Sequence, residues 1–151
     1  VVSYALAACF WGAGSVADHS KEIVLRGAVF DERTASDICR VEHFDEADAE
    51  HFRAGIESGL YNLLSVEIDG DRRGSIILSW ERGDTLTLFC NVLSAEHVPG
   101  VNIVSEIVEM MAVYAKAKGA GMLRFWTRRE GLVRITEQMG FTRNYVMERA
   151  V

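Results

Sequence analysis

Apolar positions along the chain change their spacing several times, and each change marks an element. Residues 22–30 (EIVLRGAVF) read as a strand that ends at Asp31-Glu32. From Asp45 to Ser58 the pattern predicts a helix. Asp45 is placed to cap it, acids fill the first turn where the helix dipole favours them, and Gly59 follows its end. Residues 63–69 then alternate apolar and polar, as a half-buried strand does. The run Asp69-Gly70-Asp71-Arg72-Arg73-Gly74 predicts a turn, and residues 75–81 (SIILSWE) return as the second arm of a hairpin. A further turn at Arg82-Gly83-Asp84 leads into a third alternating run over residues 85–93 (TLTLFCNVL).

A loop around residues 96–101 precedes the strongest helical signal. Ile103, Ile107, Val108, Met110, Met111, Val113, Tyr114 and Ala115 place a wide apolar face over residues 103–118, and Gly119 ends it. Residues 122–127 read as a short strand, 132–139 as a short helix stopped by Gly140, and 141–149 as a last strand. This order predicts an α+β (mixed α/β) fold, a central, mostly antiparallel sheet flanked by helices. Residues 1–17 are uncharged and mostly apolar, too short for a comfortable membrane span and without the basic flank of a secretory signal. They read as a buried strand or an apolar segment, and the role of residues 1–22 stays open. Two short matches there are set aside, a lipoprotein cleavage box at Leu6-Ala7-Ala8-Cys9 and a methionine sulfoxide reductase motif at Ala8-Cys9-Phe10-Trp11-Gly12.

Length and composition narrow the class. A chain of 151 residues with 49% hydrophobic and 25% charged residues reads as one globular domain over residues 1–151, and not as a fibre, a coiled coil or a disordered tail. The net charge of −6 is uneven, for residues 1–115 carry 8 basic against 19 acidic side chains and residues 116–151 carry 8 against 3. The basic C-terminal quarter could meet a phosphate-bearing ligand, an acidic partner or the acidic part of its own chain. An acidic chain without interleaved aromatics argues against nucleic acid. Cys9, Cys39 and Cys90 are odd in number and lack a CxxC pair, which points to a reducing, cytoplasmic compartment and away from a disulfide framework or zinc cage. His19, His43, His51 and His97 show no metal-ligand spacing.

Over residues 63–149 the order of elements resembles the GNAT superfamily of acyl-coenzyme A-dependent N-acyltransferases. The C-terminal signature carries most of this: a long helix, the Gly119 turn, a strand, a short amphipathic helix, then Met139-Gly140-Phe141. The stretch from Phe89 through Cys90, Asn91, Val92, Leu93, Ser94, Ala95 and Glu96 to Gly100 is similar to the histone-acetyltransferase branch. The resemblance implies an acetyl-coenzyme A cofactor whose pyrophosphate is held by backbone amides at the start of the long helix. That loop falls on residues 98–104, with Gly100 kept and Asn102 and Val104 at the next two small positions. It also implies that two central strands part where the cofactor's arm inserts, here residues 91–93 against 122–125.

The site residues implied are therefore Val92, Leu93, Gly100, Val101 and Asn102 for backbone contacts, with Arg129 or Arg128 reaching a phosphate. The family's usual base falls on Leu86, its tyrosine acid on Thr136 and its helix-opening asparagine on Arg129. Substitutes for the base are Glu67 and Glu96, with Asn91 and Ser94 nearby. Two functions follow from the resemblance. One is an acetyl-coenzyme A-dependent N-acetyltransferase acting on a primary amine of a small molecule or protein. The other is a catalytically silent GNAT-like structural or interaction protein, such as a phage assembly or virion component, docking a partner through the apolar N-terminal segment.

Overall fold

The computed structural model describes residues 5–7, 21–144 and 149–150. One sheet holds six strands in chain order: β1 (Ala5–Ala7), β2 (Ile23–Gly27), β3 (Asn62–Ile68), β4 (Asp71–Glu81), β5 (Thr87–Ala95) and β6 (Met122–Phe125). Each of β1 to β4 pairs antiparallel with the next, and β6 joins β5 in parallel. The helices are α1 (Glu32–Cys39), α2 (Glu46–Glu57), α3 (Ile103–Ala117) and α4 (Glu130–Gln138). The α+β architecture predicted from the pattern is the one observed.

Two apolar layers fill the faces of the sheet. On one face Ile107, Val108 and Met111 of α3 pack on Leu25, Val66, Ile76, Leu78, Leu88 and Cys90. On the other, Ile38 of α1 and Ala49 and Phe52 of α2 cover Leu63, Ile77 and Val92. Full burial of such side chains contributes about 1.5–3 kcal/mol each. Alternation along β4 feeds both layers at once, which is why residues 74–78 are all buried. Gly74 lies where β5 presses closest, for a Cβ there would strike the Ser94 carbonyl oxygen.

The structure corrects the pattern in three places. The β3–β4 connection is two residues long, since Asp69 (φ 51°) and Gly70 (φ 84°) adopt the left-handed backbone of a tight hairpin. The charged run from Asp71 to Gly74 belongs to β4, where Arg73 is the extra residue of a bulge between the Glu67–Arg72 and Val66–Gly74 pairs. A helix, α1, occupies residues 32–39, where the pattern marks none. Its inner face is Thr34, Asp37 and Ile38, so the apolar period is nearly absent, and Asp31 starts it by accepting from the Thr34 amide at 2.8 Å. Residues 141–144 carry no strand, while 145–148 and Cys9 lie outside the described residues.

Candidate functional site

The feature that distinguishes one edge of β5 is an opening. β5 and β6 pair from Thr87–Met122 to Cys90–Phe125, and among the described residues Val92 to Ala95 keep a strand partner only in β4. The cause is local. Ile77 pairs with Val92 but Leu78 pairs with Cys90, leaving Asn91 as an extra residue that bends the strand. The Asn91 side chain donates to Ser79 Oγ at 2.8 Å, which fixes it beside the bulge. Residues 91–93 are thus open as the sequence implied, whereas 122–125 face 87–90 rather than 91–93.

Past the opening, β5 runs into the loop before α3. Val98 and Ile103 are buried and anchor it, and Val104 packs against the same core. Gly100 is left-handed (φ 78°), and a Cβ there would meet nothing within 4 Å. Asn102 stands at the N-cap without a side-chain cap bond. Among the described residues no acceptor meets the first-turn amides of Ile103, Val104 and Ser105. Unmet amides at a helix N-terminus suit an anion; of the predicted residues, Val101 already donates its amide to the Val98 carbonyl at 3.2 Å, which leaves Gly100 and Asn102 beside the first turn. Asn102 and Gly100 are exposed, Val101 half-buried, and Val92 (1% exposed) packs inward, so only its backbone is offered at the edge. Arg129 is the exposed N-cap of α4, and its amide donates to Thr127 Oγ1 at 3.0 Å.

The carboxylates occupy two different settings. Glu67 lies on β3, two strands from the opening, where Arg26 pairs with it at 3.3 Å and Ser65 donates to it. Glu96, just after β5, gathers three guanidiniums: Arg33 at 2.6 Å, Arg40 at 3.4 Å and Arg73 at 3.5 Å. Partial desolvation works to raise its pKa, but the Arg33 charge and the hydrogen bonds from Arg33, Arg73 and Arg40 outweigh that and hold it below the usual carboxylate range. A carboxylate so stabilised is a weak proton acceptor. Asp37, 1% exposed, completes the junction by accepting from Arg33 at 2.9 Å and from Ser75 at 2.7 Å. The β4 bulge sends Arg72 to Asp31 (2.8 Å) and Arg73 to Glu96, binding α1, β4 and β5 together.

The positions at which the resemblance implied a base and an acid are occupied by side chains of other kinds. Leu86 precedes β5, half-buried, and Thr136 is buried with its hydroxyl donating back to Leu132 and Val133 carbonyls. Burial pushes the Cys90 thiol up to about 12, so it stays protonated. Much of the basic C-terminal quarter answers the chain's own acids, as Arg124 does with Glu81 and Arg143 with Glu130 and Glu137. A shallow groove of 390 Å³ between α1 and α2, lined by Phe30, Cys39 and Arg53 among others, holds none of the predicted residues. Among the described residues there is no metal-ligating cluster and no helix long and apolar enough to cross a membrane.

One pair was not legible in the sequence. The α1–α2 loop carries His43 with a left-handed backbone (φ 74°), which costs about 1–2 kcal/mol outside glycine. Its Nε2 lies 3.5 Å from Arg128 Nη1, between β6 and α4. Trp126, 65% exposed, stands on the same connection. Only a contact between residues 85 apart in sequence reveals this rim.

No protein-family model and no curated protein matches the chain in sequence. Solved structures do match its fold. A transcriptional regulator from Bacillus halodurans C-125 has a TM-score of 0.66 at 13% identity over 85% of this chain and 99% of that one. Glucosamine-6-phosphate N-acetyltransferase from Arabidopsis thaliana has 0.59 at 12% identity over 85% and 97%. An acetyltransferase from Trypanosoma brucei has 0.56 at 13% identity over 84% and 99%. The fold is GNAT-like.

Proposed function

We propose that this GNAT-like chain is an acyl-coenzyme A-dependent N-acyltransferase whose acceptor is a primary amine. The observation that carries the reading is the parting of β5 from β6 beyond Cys90, next to a helix start whose amides are open. A free strand edge can hydrogen-bond the amide groups of an extended ligand arm, and the adjoining amides suit a pyrophosphate. When bound, acyl-coenzyme A supplies an activated thioester.

The chain's own residues would then divide the work. Gly100 and Asn102, with the first-turn amides of α3, hold the phosphates through backbone N–H groups, and Arg129 is the basic side chain assigned to them. The backbone of Val92 and Leu93 orients the arm. Of the carboxylates first considered as bases, Glu67 is engaged by Arg26, and Glu96 serves best by fixing the β5–α3 loop to α1 through its three arginines.

Calorimetric titration with acetyl-coenzyme A tests this, with Gly100→Trp as control. Micromolar binding that the variant loses at least tenfold supports it, because an indole at Gly100 would cover the amides. Absence of binding at millimolar acetyl-coenzyme A would overturn it and leave a non-catalytic GNAT-like domain.

A further inference from the structure

We propose that the acceptor is an arylalkyl primary amine whose ring seats on an uncovered corner of the sheet beside the opening, and this rests on the acyltransfer reading above. Strand register defines that corner. Leu88 pairs with Leu123 and Cys90 with Phe125 across β5 and β6, and all four pack on the α3 side. The alternate positions turn to the face that α1 and α2 cover. There Ser79, Phe89 and Arg124 stand abreast on β4, β5 and β6. Met122 shares the Arg124 side of β6, and Trp126 is the next position of that alternation, just past the strand's end. Arg128 meets His43 of the α1–α2 loop, which holds the connection after β6 on this same face. The helices stop short of the corner. Their apolar cluster takes in Ile77 and Val92 but none of these side chains, and Met122 and Trp126 stay 45% and 65% exposed. Scattered apolar side chains are ordinary on a surface, but Phe89, Met122 and Trp126 gathered beside a cleft suit an apolar body.

Charge and polarity narrow the class further. Arg124 pairs with Glu81 at 3.3 Å, and its other terminal nitrogen lies 3.4 Å from the Met122 sulfur. These two charges answer each other, so a carboxylate or phosphate on the acceptor would lose its hydration here without gaining a partner. A flat ring instead gains by stacking on the indole and covering Phe89 and Met122. Asn91 supplies the polar end. Its amide nitrogen donates to Ser79 Oγ at 2.8 Å and to the Phe89 carbonyl at 3.4 Å. A carbonyl only accepts, so nitrogen is the atom on that side, and Oδ1 is the end that meets no donor among the described residues. That oxygen belongs to the extra residue of the bulge, one position past the last β5–β6 pair, where it can accept from the N–H of an amine at the cleft. Amine and ring are thereby held at two places, and a short chain joins them.

The test is calorimetry of the full chain with 2-phenylethylamine and with ethanolamine, each with coenzyme A present. The aromatic amine is expected to bind at least about tenfold tighter, the scale on which a pocket separates apolar from smaller polar groups. Trp126→Ala should remove at least about fivefold of that preference and leave ethanolamine unchanged, whereas Trp126→Phe should keep it within about twofold. Trp126 is 65% exposed, so the fold should survive either change. Asn91→Leu, which keeps the size but no acceptor oxygen, should weaken both amines alike. In turnover with acetyl-coenzyme A, Trp126→Ala should raise the KM for 2-phenylethylamine and leave kcat nearly unchanged. Equal affinity for the two amines, tighter binding of ethanolamine, or a preference that survives Trp126→Ala would each overturn the assignment, and retained acetyl-coenzyme A binding would then leave the acyltransfer reading standing. Failure of the wild type to bind acetyl-coenzyme A is a different result, in which the acyltransfer reading falls and the acceptor role of this corner falls with it.

Discussion

Two regions at the end of β5 are built in opposite ways. Where α1 meets β4 and β5, each carboxylate has a guanidinium or hydroxyl partner, and Asp37, Glu96, Arg33, Arg40, Arg72 and Arg73 close on one another. A few residues on, the first-turn amides of α3 meet no acceptor among the described residues. Charge concentrated in the first region makes it look like a site, and its carboxylates are spent on guanidiniums, although Arg72 Nε and Arg73 Nε stay buried without a partner among the described residues. The second is plain in sequence and offers backbone groups instead.

Breaking the closed region should cost most. Asp37→Ala strands Ser75 and two arginines around a buried position, and we expect a loss of about 2–3 kcal/mol in urea unfolding, below the full cost of a buried pair because both arginines are partly exposed. A loss under about 0.5 kcal/mol would show that the junction is solvated and the contrast overdrawn. Acid should loosen the same region. The Asp31 and Glu96 carboxylates both sit below their ordinary range in the fold. Such groups contribute fully above their unfolded values, and that contribution is lost as pH falls from about 4 through the folded values. Melting temperature should drop over that window, and less steeply in a double variant Asp31→Asn, Glu96→Gln. Glu96→Gln alone at neutral pH should lower the melting temperature only slightly, since its pairs are a third or more exposed. The smallest effect belongs to the open region. Asn102→Ala should change unfolding stability by less than about 0.5 kcal/mol, because the N-cap side chain makes no cap bond to lose.

The sequence reveals those elements whose buried face is apolar. α2 and α3 were readable from Asp45, the Ile103–Ala115 stripe and their terminal glycines, and the three central strands from alternation. α1 was not, because it buries Thr34 and Asp37, polar residues whose partners lie on a strand about 38 residues further along. The hairpin turn was misjudged because the bulge at Arg73 hides a strand inside a run of charges. Of the candidate site, the glycine loop and the open edge were visible as a resemblance. The guanidiniums around Glu96 and the meeting of His43 with Arg128 were not, since long-range side-chain contacts leave no periodic trace. At the positions where the resemblance implied a base and an acid stand Leu86 and Thr136, side chains that perform neither role.

The order of the strands also has a consequence in time. β3 to β5 form a meander in which each strand meets its sequence neighbour across a short turn, so those contacts are local and quick to make. β6 can join only after α3 has crossed the face, and it is held by four residue pairs, from Thr87–Met122 to Cys90–Phe125. The wall beside the open edge therefore docks later than the β3–β5 meander and leaves before it. Amide hydrogens of Met122 to Phe125 should exchange well before those of Ile76 to Leu78, and for a nascent chain the ability to hold a ligand would arrive as a final folding event.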